Sequence, residues 1–255
     1  MLVFFVTDID VSGNGDEIVS RSILQEALHD AVNTTFNRIS VDTDTSTSDT
    51  ITLMSSGSKT VTDVSEFRRA LKQMCAQLSD DVVRNGEGVS HVMRCRVTGA
   101  LNEEIAVAVG KSVVNSPLLK CAVNGNDPNV GRLISSVGKY FSQPGIDTNI
   151  VNSFNPSNCS VSIGNINIFK NGQFTLSEQS EEIVMRHMKH AELYESRGAW
   201  ENEQVTYASA ESFPKHKRCV EIDIHLGMKE GKCEATVLGS SLSHEYVAEN
   251  ADYRS

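Results

Sequence analysis

Asp63-Val-Ser-Glu-Phe-Arg-Arg-Ala-Leu-Lys-Gln-Met-Cys-Ala-Gln-Leu-Ser-Asp-Asp-Val-Val-Arg-Asn-Gly-Glu-Gly-Val-Ser-His-Val-Met-Arg-Cys-Arg-Val97 reads as a helix and a strand joined by one turn. Asp63 and Glu66 form an Asp-x-x-Glu capping pattern, in which side-chain oxygens satisfy the unpaired amides of a first helical turn. Phe67, Leu71, Met74, Cys75, Leu78 and Val82 then recur at helical spacing as one apolar stripe. Gly86-Glu-Gly88 follows, and residues 92–97 read as a strand. Upstream, residues 16–36 predict a helix with Ile23, Ala27, Leu28, Ala31 and Val32 on one face. Its first turn holds Asp16 and Glu17, where carboxylates favour the helix dipole. Short strands are expected at 39–41 and 51–54. Downstream, Asn102-Glu-Glu104 opens a helix that Pro117 stops, 118–123 reads as a strand, and 128–141 as a helix. Such alternation of strand and helix implies an α/β fold.

Residues 143–160 are rich in Pro, Gly, Asn and Ser, and mark the expected boundary between two domains, 1–145 and 146–255. Beyond it, 162–169 and 173–176 flank Lys170-Asn-Gly172, a strong hairpin signal. A polar helix is expected at 180–197. Val220, Ile222, Ile224 and Leu226 alternate onto one face of a strand expected to pair with 233–238. A short helix at 244–249 closes the pattern. The opening residues, Met1-Leu-Val-Phe-Phe-Val-Thr-Asp8, form a buried-strand pattern at the very start. Because first residues fray unless a sheet ties them down, this opening suggests a terminus made by a cut within a larger protein.

The 255 residues suffice for one large domain or two small ones. A net charge of −10 argues against a general nucleic-acid binder, which needs a basic face. No apolar run approaches the roughly 18 residues of a membrane span, and no signal peptide is visible at the start. Cys75, Cys95, Cys121, Cys159, Cys219 and Cys233 are scattered, without metal-site spacing, which points to reduced thiols in an intracellular protein.

Four blocks occur in a fixed order: Phe36-Asn-Arg-Ile-Ser-Val-Asp-Thr-Asp-Thr-Ser-Thr-Ser-Asp-Thr50, Val83-Arg-Asn-Gly-Glu-Gly88, Gly125-Asn-Asp-Pro-Asn-Val-Gly-Arg132 and Asn250-Ala-Asp-Tyr-Arg-Ser255. Together they resemble the ornithine acetyltransferase family (glutamate N-acetyltransferase), and nearly the whole chain is similar to its β chain. The resemblance implies a layered α/β/β/α sandwich in an autoprocessed, amino-terminal-nucleophile enzyme. It implies transfer of an acetyl group from N2-acetyl-L-ornithine to L-glutamate through an acyl-threonine. In the family, self-cleavage frees a Thr whose own α-amino group, with a pKa of about 8, serves as its base. That Thr is expected immediately before Met1, and the oxyanion donors on the α chain. The expected partner is the α chain of the same precursor, in an (αβ) oligomer in the cytoplasm, or in the mitochondrial matrix of a eukaryote. No metal or cofactor is implied; acetyl-CoA stays open as a further donor.

The resemblance also assigns residues. Glu87 is expected to engage the charged end of the amino-acid substrate, with Asn250 and Ser255 holding its head group; an amide donates and accepts, and a hydroxyl can do either. The loop at 42–50 reads as mainly structural, packed near the nucleophile. Asp127 and Arg132 admit a structural or a binding role. The chain departs from the family at several points. Thr43 stands for a Gly, Ser48 for an Asn, Val130 for a Trp, and His91 for a Lys whose loss would alter specificity if it met substrate or a neighbouring carboxylate. If the Gly needs a positive φ, Thr43 is strained there. Residues 190–218, with Trp200 and the basic cluster Lys215-His-Lys-Arg218, read as a surface insertion, a solvated loop in preference to a partner contact. Two other classes remain: an amino-terminal-nucleophile amidase or aminopeptidase that passes the acyl group to water, and a non-catalytic subunit if Met1 is a true start.

Overall fold

The computed structural model describes residues 1–61, 63–193 and 215–252, and the fold is mixed α/β as the strand–helix alternation predicts. Ser255, Trp200 and residues 194–214 of the insertion lie outside the described residues. The first part of the chain runs through β1 (Leu2–Asp10), α1 (Glu17–Asn33), β2 (Ile39–Ser40), β3 (Thr50–Thr60) and α2 (Val64–Arg84). Then come β4 (Val92–Ala100), α3 (Glu103–Val114), α4 (Pro117–Asn124), α5 (Val130–Phe141) and α6 (Thr148–Ser153). The rest holds β5 (Ser160–Ile163), β6 (Ile166–Lys170), β7 (Gln173–Phe174), α7 (Glu178–His190), β8 (Val220–His225), β9 (Cys233–Ser240) and α8 (His244–Ala251).

Packing divides the chain into two units, Met1–Ile39 with Thr43–Asp80, and Ser40–Asp42 with Asp81–Ser255. The expected boundary segment, 143–160, therefore lies inside the second unit. There Ile146, Ile150 and Phe154 pack on the core, and Phe154 stacks on Phe141 with ring centroids 4.0 Å apart.

In the first unit, β1 and β3 form a two-stranded parallel sheet. Asp16 caps α1 by accepting from the amides of Ile18 and Val19, and Asp63 accepts from the amide of Glu66 at 3.0 Å, as the capping pattern predicts. Phe5, Val11, Leu28, Phe36, Leu71 and Cys75 are buried. The opening strand departs from its expected burial: Leu2, Phe4 and Val6 are 67%, 60% and 77% exposed. A strand shows two faces, and a two-stranded sheet covered on one side leaves the other bare.

The second unit is built on a seven-stranded sheet in the order β2-β9-β4-β8-β5-β6-β7. The expected hairpin between β8 and β9 does not form, because β4 lies between them, parallel to β8 and antiparallel to β9. After β8 the chain continues along the end of β4, where Leu226 and Met228 donate to the carbonyls of Thr98 and Gly99. It crosses that end at Gly231, whose Cβ would stand 2.2 Å from the Gly99 oxygen. Segment 118–123, expected as a strand, is the helix α4. Ser116 caps it, and Pro117 sits in its first turn, where a missing N–H costs nothing. The proline that ends one helix here starts the next. The single strand expected at 162–169 is split by Gly164-Asn165, at φ 55° and 68°, into the hairpin β5–β6. The Asn171-Gly172 turn joins β6 and β7 as expected.

Met93, Cys95 and Val97 of β4, Ile222 and Ile224 of β8 and Val237 of β9 share a buried core with α3, α5 and α7. Gly110 lets α3 close on β9, since a Cβ there would stand 2.7 Å from Val237 Cγ2. Alternate residues carry ion pairs, Arg94–Glu221 at 2.8 Å and Arg96–Glu234 at 2.7 Å. Among the described residues, no single helix is long and apolar enough to cross a membrane.

Candidate substrate-recognition site

The site grows from the end of α2. Arg84, 1% exposed, donates through its guanidinium to the carbonyls of His216 and Arg218, which fixes the last turn before Gly86-Glu87-Gly88. Gly88 has φ 59°, and a Cβ on it would stand 2.3 Å from the Tyr246 nitrogen. Only glycine admits both the dihedral and the approach. The start of α8 thus rests on the turn. Ser243 caps this helix by accepting from the Tyr246 amide at 3.0 Å, and its hydroxyl donates to the Gly88 carbonyl at 2.6 Å.

This arrangement brings two expected residues together across 163 positions of sequence: Asn250 Nδ2 donates to Glu87 Oε2 at 2.8 Å. The same amide donates to the Tyr246 carbonyl at 2.9 Å, which orients it along the helix. Both side chains are exposed. A carboxylate beside a carboxamide offers an anionic acceptor for an ammonium group, and an amide that both donates and accepts. The third expected residue, Ser255, lies outside the described residues.

The other blocks resolve into distinct roles. Tyr246 Oη donates to Asp42 Oδ2 at 3.1 Å, which ties the first block to α8. Thr43 has φ 82°, the strained position expected of a β-branched residue standing where glycine serves. At the other end of that loop, Asp49 accepts from the Met1 nitrogen at 2.6 Å. A cleft of about 310 Å³ in the first unit is lined by Met1, Asp49, Gln25, His29 and Phe36. Asn129 caps α5 by accepting from the Arg132 amide, and Arg132 donates to the Leu118 carbonyl at 3.0 Å, so that block builds the α4–α5 connection.

His91 turns inward rather than toward Glu87. It is 1% exposed, with Nδ1 2.9 Å from Ser90 Oγ and Nε2 3.2 Å from Asn126 Oδ1. Asn126 Nδ2 continues the chain to Glu192 Oε1 at 2.6 Å. Burial pushes the imidazole below its ordinary pKa, and the Glu192 charge offsets part of that. The Lys-to-His departure therefore falls at an interior position of this chain.

Three features went unread in the sequence. Lys120 is 2% exposed, and Nζ donates to the Val41 carbonyl at 2.6 Å and to the Ser240 carbonyl. Burial lowers it to about 8, against the charge of Asp42. Ser240, Ser241 and Ser243 are buried polar residues, with Ser241 Oγ accepting from the His91 amide at 3.1 Å. Tyr246 is the third. The signals were a lone lysine inside the apolar run 118–123 and a run of serines ahead of a helix.

The acidic Gly-Glu-Gly turn and the Asn250 carboxamide on α8 thus form one exposed polar site in a mixed α/β chain. The sequence profile of the ArgJ family matches residues 1–255, and the chain belongs to that family. It is similar to the arginine biosynthesis bifunctional protein ArgJ of Bifidobacterium longum, 34% identical over 241 residues, covering 94% of this chain and 51% of that protein. It is also similar to the glutamate N-acetyltransferase of Methanocaldococcus jannaschii, 34% identical over 260 residues, covering 99% of this chain and 54% of that protein. The chain spans about half the length of the curated relatives it matches. A crystal structure of arginine biosynthesis bifunctional protein argJ from Bacillus halodurans superposes with a TM-score of 0.74 at 32% identity, covering 99% of this chain and 100% of that one.

Proposed function

We propose that this chain is the β part of an acetyltransferase that moves an acetyl group from N2-acetyl-L-ornithine to L-glutamate. The observation that carries the reading is the contact of Asn250 with Glu87, two residues the family resemblance assigns to substrate. In this reading the Glu87 carboxylate takes the cationic end of the substrate, Asn250 and Ser255 take its head group, and the nucleophile is a threonine adjoining Met1. The cleft beside Met1 and Asp49 supports room for an acyl group there. The threonine hydroxyl attacks the acetyl carbonyl, its proton passes to the neighbouring α-amino group, and ornithine leaves as the amine. Glutamate's amine then attacks the ester and restores the hydroxyl. Oxyanion donors come from the α chain, and acetyl-CoA is an optional second donor.

Two observations support an α chain as partner. The chain matches half of its curated relatives yet all of one solved chain, and Leu2, Phe4 and Val6 form an apolar face open to a covering chain. The enzyme so formed is an (αβ) oligomer of the cytoplasm or mitochondrial matrix.

Acetyl transfer by the product of the whole coding sequence tests the reading. Incubation with acetylornithine and glutamate is expected to yield ornithine and N-acetylglutamate in equal amounts. Acetate released at the same rate with or without glutamate would indicate an amidase instead, and no turnover at all would indicate a non-catalytic subunit.

A further inference from the structure

Within the second unit, α8 is a helix of eight residues with no buried side chain. A helix this short is unstable alone, and helices in proteins are normally held by an apolar face. This one is held by polar contacts. Its capping residue Ser243, then Tyr246 and Asn250, follow at spacings of three and four and so share one face. Ser243 and Asn250 both meet the Gly-Glu-Gly turn, at the Gly88 carbonyl and the Glu87 carboxylate. Of these three, Tyr246 reaches elsewhere, to Asp42. Two contacts to one turn leave a helix free to swing about it; a third, off that line, fixes its direction.

Asp42 is itself anchored. The carbonyl of the preceding Val41 accepts from Lys120 Nζ at 2.6 Å and from Ser240 Oγ at 2.7 Å. Ser240 ends β9, three residues before the cap of α8. The buried ammonium therefore clamps the Val41–Asp42 backbone to the strand that leads into the helix, and its charge lies near the Asp42 carboxylate.

We propose that Asp42, backed by Lys120, is a positioning residue for substrate recognition, acting through Tyr246 to fix α8 so that Asn250 stays on Glu87. This rests on the reading of Glu87 and Asn250 as the substrate pair. Neither Asp42 nor Lys120 touches substrate in this scheme. It gives the first family block a role: the loop supplies the carboxylate that aims the closing helix.

The test uses the enzyme expressed from its whole coding sequence, with Tyr246→Phe, Asp42→Ala and the double variant beside wild type and Glu87→Gln. Loss of one hydrogen bond is expected to speed amide exchange over residues 247–251 about fivefold in Tyr246→Phe. The KM for acetylornithine is expected to rise by about the same factor while kcat stays within about twofold. The double variant should raise KM no further than the larger single effect, because both changes cut one contact. Unchanged exchange over 247–251 in Tyr246→Phe would overturn the proposal whether or not the enzyme transfers acetyl groups. So would faster exchange with an unchanged KM while Glu87→Gln raises it. Absence of transfer by wild type would sink the acetyltransferase reading, and the exchange result would still decide the tether.

Discussion

Strands β1 and β4 are each nine residues long and each lies beside a parallel neighbour, yet their fates are opposite. β1 opens Leu-Val-Phe-Phe-Val and meets its first charge only at Asp8, yet leaves Leu2, Phe4 and Val6 in the open. β4 is interrupted by Arg94 and Arg96, and Val92, Met93, Cys95, Val97 and Ala100 are wholly buried. The difference is in neighbours. β4 lies in the interior of a seven-stranded sheet with α3 across its odd-numbered residues, and its arginines find Glu221 and Glu234 on the other side. β1 has one strand beside it. An apolar strand therefore reports what the sequence is built to be covered by, and among the described residues Leu2, Phe4 and Val6 stay open.

Breaking the covered strand set should cost far more than breaking the bare one. Ile222→Ala removes a buried side chain beside β4 and is expected to cost about 2–5 kcal/mol in urea unfolding of the chain. Phe4→Ser on the exposed face should change the same measurement by no more than about 0.5 kcal/mol. Comparable losses from both would mean the two strands are equally buried and would end the comparison. If the proposed α chain covers this face, Phe4→Ser should weaken its association, seen by sedimentation.

The turn after α2 comes next in size. Gly88→Ala puts a Cβ 2.3 Å from the Tyr246 nitrogen at φ 59°, and is expected to cost about 1–3 kcal/mol while loosening α8. Thr43→Gly works in the opposite direction. Relief of its φ of 82° should stabilise the chain by about 1 kcal/mol, or raise Tm by roughly 2–4 °C. A fall in Tm would show that the Thr43 side chain contributes more than its backbone loses.

The smallest expected effect is one of pH. Burial holds His91 and His187 below the ordinary value of 6.5. The unfolded chain then binds protons that the folded chain refuses, so their contribution is present above about pH 6.5 and is lost as pH falls through the folded values. Urea midpoints should drop between pH 7.5 and pH 5.5, and His91→Gln should shrink the drop. An equal slope in that variant would place the titration elsewhere.

Much of this was legible in the sequence where a local rule had one outcome. The Asp63 cap and the Asn171-Gly172 hairpin each follow from the chemistry of one or two residues, and each is seen; the positive φ of Thr43 was signalled by the glycine that the family has there. Errors came where tertiary neighbours decided. Nothing in residues 220–238 reveals that β4 slides between β8 and β9, and Pro117 was taken for a stop when Ser116 beside it makes it a start. The site was half legible. Glu87 and Asn250 came from the family resemblance, but the contact between them depends on Gly88, Ser243, Tyr246 and Asp42. Those residues act through shape, a cap and one phenolic hydrogen bond, and no short motif announces them. Whether His91 faced outward was open in the sequence; a strand begins at Val92, and His91 beside it is buried.

The most direct test of the account is the KM for acetylornithine of Glu87→Gln in the enzyme made from its whole coding sequence. Removing the charge from an acceptor of an ammonium group is expected to raise KM about 10- to 100-fold, the worth of one charge-assisted hydrogen bond. An unchanged KM would contradict the assignment of the Glu87–Asn250 pair to substrate, and with it the central claim about this chain.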